Sequence, residues 1–136
     1  MKLLAIAFLF FWFSNPVSLV KSTKQEWKGG QGKSEGVNYK IQVIVKKSSD
    51  YIKFTSVTIN GKDCRFKLFK NNKPFKKEDS FKKNDTLLVS TSITYKVDDR
   101  KPQKHPDNVE INYTYKSKIK KLEVTQFEKI KTLMYP

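Results

Sequence analysis

Residues Val37-Asn-Tyr-Lys-Ile-Gln-Val-Ile-Val45 form the most informative stretch of the chain, because apolar and polar side chains alternate along it. The apolar side chains share one face of an extended segment, and Asn38, Lys40 and Gln42 share the other. A hydrophobic period of two is typical of a β-strand that buries one face. No stretch after it shows the period of about 3.6 that an amphipathic helix requires. The sequence therefore predicts an all-β protein.

The same alternation recurs further along the chain. Such segments are residues 51–59, 64–69, 87–97, 109–115 and 119–127. Phe54 and Val57 are both apolar but differ in parity, which predicts a β-bulge near Thr55-Ser56. Asn60-Gly61 predicts a tight hairpin, because a type I′ turn requires positive φ at both of its central residues.

The stretches between these segments predict loops. Residues 70–84 are rich in lysine and asparagine, and we expect a long connection held to the body by Phe75 and Phe81. Residues 98–108 are polar and contain two prolines, which is typical of a mobile surface loop. Residues 129–135 are expected to form either an edge strand or an extended tail.

With a short strand at residues 25–28, the pattern gives about seven strands, with turn signals every 8 to 12 residues. This spacing favours an immunoglobulin-like antiparallel β-sandwich. A small β-barrel is the alternative. The length allows one domain, which we expect to span residues 23–136.

The first residues resemble a secretory signal peptide. Lys2 precedes an unbroken apolar run, Leu3 to Phe13, which is too short for a bilayer-spanning helix of about 20 residues. Val20-Lys21-Ser22 has the spacing that signal peptidase prefers, so we expect residues 1–22 to be removed after Ser22. The sequence thus predicts a secreted or periplasmic protein with no transmembrane segment in its mature part.

The chain is strongly basic, with 28 lysines and arginines against 13 acidic residues and a net charge of +15. Such a balance favours anionic partners: nucleic acid, phospholipid headgroups, lipopolysaccharide, acidic glycans or an acidic protein surface. Only Arg65 and Arg100 are arginines, whereas dedicated readers of phosphates and bases rely on the arginine fork. A lysine-rich surface that only confers solubility remains the alternative.

The densest group of cations surrounds the turn after Tyr115. Its members are Lys116, Lys118, Lys120 and Lys121, which we take as a candidate anion-binding site. Further lysines stand at positions 46, 47, 70, 73, 76 and 77. If these loops gather at one end of the sandwich, they form an anion-binding rim. If they scatter, they only make the protein soluble.

The residues needed for catalysis are scarce. His105 is the only histidine and Cys64 the only cysteine, so the sequence offers no catalytic triad and no zinc ligand set. Cys64 is expected to be a small inward-facing hydrophobe. Gly29-Gly30-Gln31-Gly32 neither follows a core strand nor opens a helix, as a phosphate-binding loop would. We therefore expect no enzymatic activity, no metal and no cofactor.

Trp27 is the one tryptophan after residue 22. A large aromatic side chain in a small sandwich favours a plug between the sheets. The alternative is an exposed platform on which a sugar or base stacks.

Four short segments resemble a set of short exported proteins from Bacteroidetes-type bacteria. They are Trp27-Lys28-Gly29-Gly30, Asn60-Gly61, Asn84-Asp85-Thr86-Leu87 and Tyr135-Pro136. The family pattern has a glycine before Asp85, where this chain has Asn84. The resemblance implies an envelope or secreted location and brings no active site with it.

Taken together, these patterns predict an exported, non-enzymatic interaction or structural module. The alternative is a binder of an anionic polymer or lipid that acts through its lysines.

Overall fold

The computed structural model describes residues 15–29, 34–96 and 107–135, which form ten strands and no helix. The strands are β1 (Val17–Lys28), β2 (Ser34–Val45), β3 (Ile52–Ile59), β4 (Lys62–Cys64), β5 (Phe66–Lys70), β6 (Lys73–Pro74), β7 (Thr86–Lys96), β8 (Val109–Tyr115), β9 (Lys118–Val124) and β10 (Glu128–Met134). The prediction of an all-β protein is confirmed.

The strands form two sheets. One has the order β10-β1-β2-β7-β5-β6 and is called sheet A; the other has the order β4-β3-β8-β9 and is called sheet B. Neighbouring strands are antiparallel except β1 and β10, which are parallel. The sheets stay open rather than closing into a barrel. In the part of the chain that is described, no helix is long and apolar enough to cross a membrane.

The core lies between the two sheets. The predicted inner face of β2 is buried from Tyr39 to Val45, whereas Val37 at its margin is half-buried. Alternate residues of β8, including Ile111 and Tyr113, cover this face from sheet B. Period-two burial on both sheets therefore produces one continuous apolar layer.

Two local predictions are confirmed. The pairing of β3 with β8 changes register between Phe54 and Ser56, which is the predicted bulge. Asn60 and Gly61 connect β3 to β4 with φ of 51° and 83°, as a two-residue type I′ turn requires. Asn84 has a φ of 72°, a conformation that favours glycine or asparagine, at the position where the resembled pattern has glycine.

The strand count was wrong, and residues 64–69 show one reason. Cys64 ends β4 and pairs with β3 in sheet B, whereas Phe66 begins β5 and pairs with β7 in sheet A. The chain changes sheets at Arg65, whose carbonyl oxygen accepts a hydrogen bond of 2.7 Å from the Thr91 hydroxyl. Alternation continues through this junction, so the pattern alone indicated one strand.

The connection from residue 70 to 84 contains one short strand that the sequence analysis did not predict. Asn71-Asn72 makes a two-residue turn with positive φ, and Lys73–Pro74 then pairs with β5. The two aromatic anchors are confirmed: Phe81 is 3% exposed, and Phe75 packs against the core with its ring centroid 6.0 Å from that of Phe81.

Strand β1 is longer than predicted. It runs for 12 residues from Val17, which is fully buried and pairs with Val45, while the Pro16 carbonyl accepts the Lys46 amide at 2.7 Å. The inward-facing positions of β1 after Ser22 carry charged residues. Apolar and polar side chains therefore do not alternate in this part of the strand. Residues 17–22 of the predicted signal peptide thus lie in sheet A. Cleavage after Ser22 stays a prediction, and the apolar run before residue 14 lies outside the described residues.

The closing segment forms an edge strand, one of the two predicted possibilities. Strand β10 lies beside β1, with Thr23 opposite Glu128 and Lys28 opposite Met134. The Tyr135 amide donates to the Lys28 carbonyl at 3.0 Å.

Candidate functional site: the basic end of the sandwich

Turns from both sheets meet at one end of the sandwich. The Ser49 amide donates a hydrogen bond of 3.0 Å to the Phe81 carbonyl. This bond connects the turn after β2 to the loop before β7. The Lys116 amide donates to the Tyr51 carbonyl, also at 3.0 Å, which ties the β8–β9 turn to the start of β3. The loops that the sequence analysis singled out around residues 46 and 116 are therefore neighbours.

Six exposed lysines occupy these turns, and we refer to them as the basic end. They are Lys46, Lys47, Lys82, Lys83, Lys116 and Lys118. The carboxylates beside these lysines are Asp50 and Asp85, and Glu78 and Asp79 lie earlier in the loop before β7. The region therefore carries a clear excess of positive charge.

Asp85 is already engaged by its own surroundings. Its carboxylate accepts the Lys82 amide at 2.7 Å and forms an ion pair of 3.2 Å with Lys70. The Lys82 amide, and then Lys70, hold the pKa of Asp85 below its ordinary value. Lys70 is half-buried and also donates to the Ser80 carbonyl at 3.0 Å, so its charge serves the fold.

The four predicted site lysines do not share one face. Lys116 lies in the β8–β9 turn, and Lys118 begins β9 directly after it, so both belong to the basic end. Lys120 is half-buried on the inner face, opposite Tyr113. Lys121 points to the outer face of sheet B, where its ammonium lies 3.4 Å from a Glu110 carboxylate oxygen. Successive strand residues alternate between faces, which separates Lys120 from Lys121.

The β8–β9 turn places a cation among aromatic rings. The Lys116 Nζ lies 5.7 Å from the ring centroid of Tyr51 and 5.4 Å from that of Tyr115. Such distances allow cation–π attraction, which orients the ammonium without neutralising it. Lys116 and Ser117 have φ of 49° and 67°, although two-residue turns of this kind favour Asn-Gly.

Acidic side chains lie toward the opposite end of sheet B. Asp63, Glu110 and Glu123 occupy one outward-facing row that crosses β4, β3, β8 and β9, with Thr58 between the first two. This row could not be predicted from the sequence, because its members are distant along the chain. The row places carboxylates at the end of sheet B away from the basic end, where Glu110 pairs with Lys121.

A second polar cluster links the two sheets far from the basic end. Asp107, just before β8, accepts a hydrogen bond of 2.7 Å from the Tyr39 hydroxyl and pairs with the Lys24 ammonium. Burial and the hydrogen bond to Asp107 raise the pKa of Tyr39, which keeps its hydroxyl protonated as a donor. The cluster connects the two sheets, and no sequence pattern predicts that these three residues meet.

Trp27 is neither a core plug nor a free platform. It is half-buried on the outer face of sheet A opposite Gly36, where a Cβ on Gly36 would come within 2.6 Å of the indole. The Tyr135 ring lies edge-on to it, with centroids 6.1 Å apart. Two segments of the resemblance, near residues 27 and 135, thus meet in space.

The described residues offer little that could carry catalysis. Cys64 packs partly against the core as predicted, and burial raises the pKa of its thiol. No three His, Cys, Asp or Glu side chains within residues 15–29, 34–96 and 107–135 are grouped as a metal site requires. His105 lies outside those ranges. An open cleft of about 250 Å³ on the β5–β6 hairpin contains one carboxylate, Asp79, which accepts the Lys76 amide at 2.7 Å.

Comparison with known proteins gives no family for this chain. No family model matches it, and no curated protein is significantly similar to it.

Proposed function

We propose that this protein is an exported, non-catalytic binding module that attaches to an anionic surface through its basic end. The observation that supports this most is the meeting of turns from both sheets at one end, with six exposed lysines among them. A cluster of like charges at one end concentrates the electrostatic potential and attracts polyanions over a distance of about one Debye length.

The use of lysine rather than arginine favours a surface of dispersed charges. A lysine ammonium is a compact, strongly hydrated point charge, whereas arginine suits planar, bidentate recognition. The cations of the basic end are all lysines. Such an arrangement fits headgroup phosphates or the acidic groups of a polymer better than it fits the edges of nucleic-acid bases.

Two simpler roles for the lysines are protection of an edge strand and solubility. Lysines on the edge strand β9 deter pairing with other sheets, which accounts for Lys118 and Lys120. That role does not extend to Lys46, Lys47 or Lys83, which lie in turns. Solubility requires charge, but it does not require charges of one sign to collect at one end.

We also propose that the sandwich is of the immunoglobulin type. The order β1-β2-β7-β5 opposite β4-β3-β8-β9 supports this, because it corresponds to the two sheets of that fold with β10 added beside the first strand. The resemblance to exported proteins of Bacteroidetes-type bacteria and the apolar N-terminal run support a place in the bacterial envelope or outside the cell.

The proposal is tested by binding to vesicles that contain phosphatidylglycerol and to immobilised heparin. We expect binding to both, with affinity that falls steeply as salt rises. The variant Lys47→Glu/Lys83→Glu should bind vesicles at least about tenfold more weakly, since each lysine near an anionic membrane contributes about 1 kcal/mol.

The matched control is Lys28→Glu/Lys62→Glu, which changes the net charge equally but at the opposite end of the sandwich. We expect it to stay within about threefold of the parent protein. Equal losses in both variants would show that only net charge matters. Salt-insensitive or absent binding of the parent protein to both ligands would refute the proposal.

A further inference from the structure

We propose that the β8–β9 hairpin is an interfacial anchor that inserts Ile119 into an anionic phospholipid bilayer. The inference deepens the proposed function: it names the anionic surface as a lipid membrane and the hairpin as the part that enters it.

The side chain of Ile119 is 86% exposed. It stands one residue after Lys118 and lies opposite Thr114, which in turn lies opposite Lys53. Ile119 is not part of the hydrophobic core. Transfer of its side chain out of water is favourable by roughly 1.5 to 3 kcal/mol.

Groups at the tip of the β8–β9 hairpin fit the headgroup region of a bilayer. Tyr51 is half exposed, and the Lys116 ammonium lies near both its ring and that of Tyr115. Amphipathic aromatic rings prefer the boundary between water and hydrocarbon. Lysine stems can lie along apolar surface while their ammonium groups reach lipid phosphates.

The turn itself supports a role beyond folding. The other two-residue turns of the described chain use Asn60-Gly61 and Asn71-Asn72, whose residues tolerate positive φ. Lys116 and Ser117 adopt the same conformation less readily. Holding Lys116 there places a charge at the tip of the hairpin, which an asparagine would not do.

The lysines of the basic end and Ile119 together favour a membrane over a soluble polyanion as the ligand of this surface. The lysines of the basic end provide attraction to anionic headgroups, and burial of Ile119 in hydrocarbon adds a favourable apolar contact. A glycan or nucleic acid would use the lysines and leave Ile119 in water.

The test compares Ile119→Ser with Met134→Ser, which changes an apolar side chain that is 66% exposed at the other end of the molecule. Binding is measured to phosphatidylglycerol vesicles and to heparin. We expect Ile119→Ser to weaken vesicle binding at least about tenfold and leave heparin binding unchanged. Ile119→Leu and Met134→Ser should bind vesicles as the parent protein does.

A second variant separates binding from stability. Lys116→Asn/Ser117→Gly installs favoured turn residues, so we expect a higher urea midpoint of unfolding together with vesicle binding about fivefold weaker. A stabilised variant with undiminished vesicle binding would contradict the role given to the hairpin.

Insertion is measured with a dye on Ile119→Cys in a Cys64→Ser background, using brominated lipids as quenchers. We expect strong quenching at position 119 and little at Met134→Cys. If the parent protein binds vesicles but Ile119→Ser binds equally well, or if heparin alone is bound, insertion is refuted and the proposed function stands. If neither ligand is bound, both fail. A dimer through β9 that Ile119→Ser abolishes, without quenching, would also overturn the inference.

Discussion

Several individual residues take backbone conformations that their side chains only partly suit. Asn84 combines a φ of 72° with an exposed side chain, so its conformation rather than its contacts matters. A residue with a Cβ pays a steric penalty in this region that asparagine reduces and glycine avoids. The sequence predicts a turn with positive φ where favoured residues occupy it, as at Asn60-Gly61. It does not predict the turn at Lys116, although Lys116 has the same backbone conformation.

Substitutions at Asn84 test this directly. We expect Asn84→Ala to destabilise the fold by about 1 kcal/mol and Asn84→Gly to leave it as stable as the parent protein or slightly more stable. The measurement is the free energy of unfolding in urea. An alanine variant at least as stable as the glycine variant would mean that side-chain contacts, not backbone conformation, select the residue.

Asp85 gives a pH-dependent prediction. Because its folded-state pKa lies below the ordinary value of 3.8, the carboxylate stabilises the fold above that pH, and the stabilisation is lost as the pH falls through the folded-state value. The difference between the unfolding free energies of the parent protein and Asp85→Asn should therefore be constant above about pH 5 and shrink as the pH falls through the folded-state pKa of Asp85. A difference independent of pH would exclude the ionised carboxylate as its cause.

Strands were predictable where one face is buried along the full length, as in β2 and β8. Strand β1 was largely missed because positions 24, 26 and 28 on its inner face are charged. Strands β4 and β5 were merged because alternation does not reveal a change of sheet at Arg65. Local periodicity therefore finds strands but not the sheets to which they belong.

The first half of β1 can be tested by two chains, one beginning at Asn15 and one at Thr23, the product of the predicted cleavage. The shorter chain lacks Val17, which is fully buried, and the pairing of residues 17–22 with β2. We expect it to be less stable by at least about 2 kcal/mol in urea. Equal midpoints would show that residues 17–22 add nothing to the fold. Sequencing the N-terminus of the protein isolated from its native cells shows whether residues 1–22 are removed.

The distribution of charge emerges only from the complete fold. The sequence analysis identified the lysine-rich turns, but their meeting at one end depends on hydrogen bonds between loops more than 30 residues apart, such as Ser49 to Phe81. It also could not separate Lys121, which pairs with Glu110, from Lys116 and Lys118 at the tip. Among the described residues, the arrangement of the sheets therefore gathers lysines that are distant along the chain at the basic end.

Amide hydrogen exchange of the protein, with and without phosphatidylglycerol vesicles, locates the binding surface without altering the chain. We expect slower exchange in the presence of vesicles at residues 46–51, 82–85 and 116–121, and unchanged exchange at the Asn60-Gly61 turn at the opposite end. Protection centred on Asn60-Gly61, or spread evenly over the described residues, would contradict attachment through the basic end.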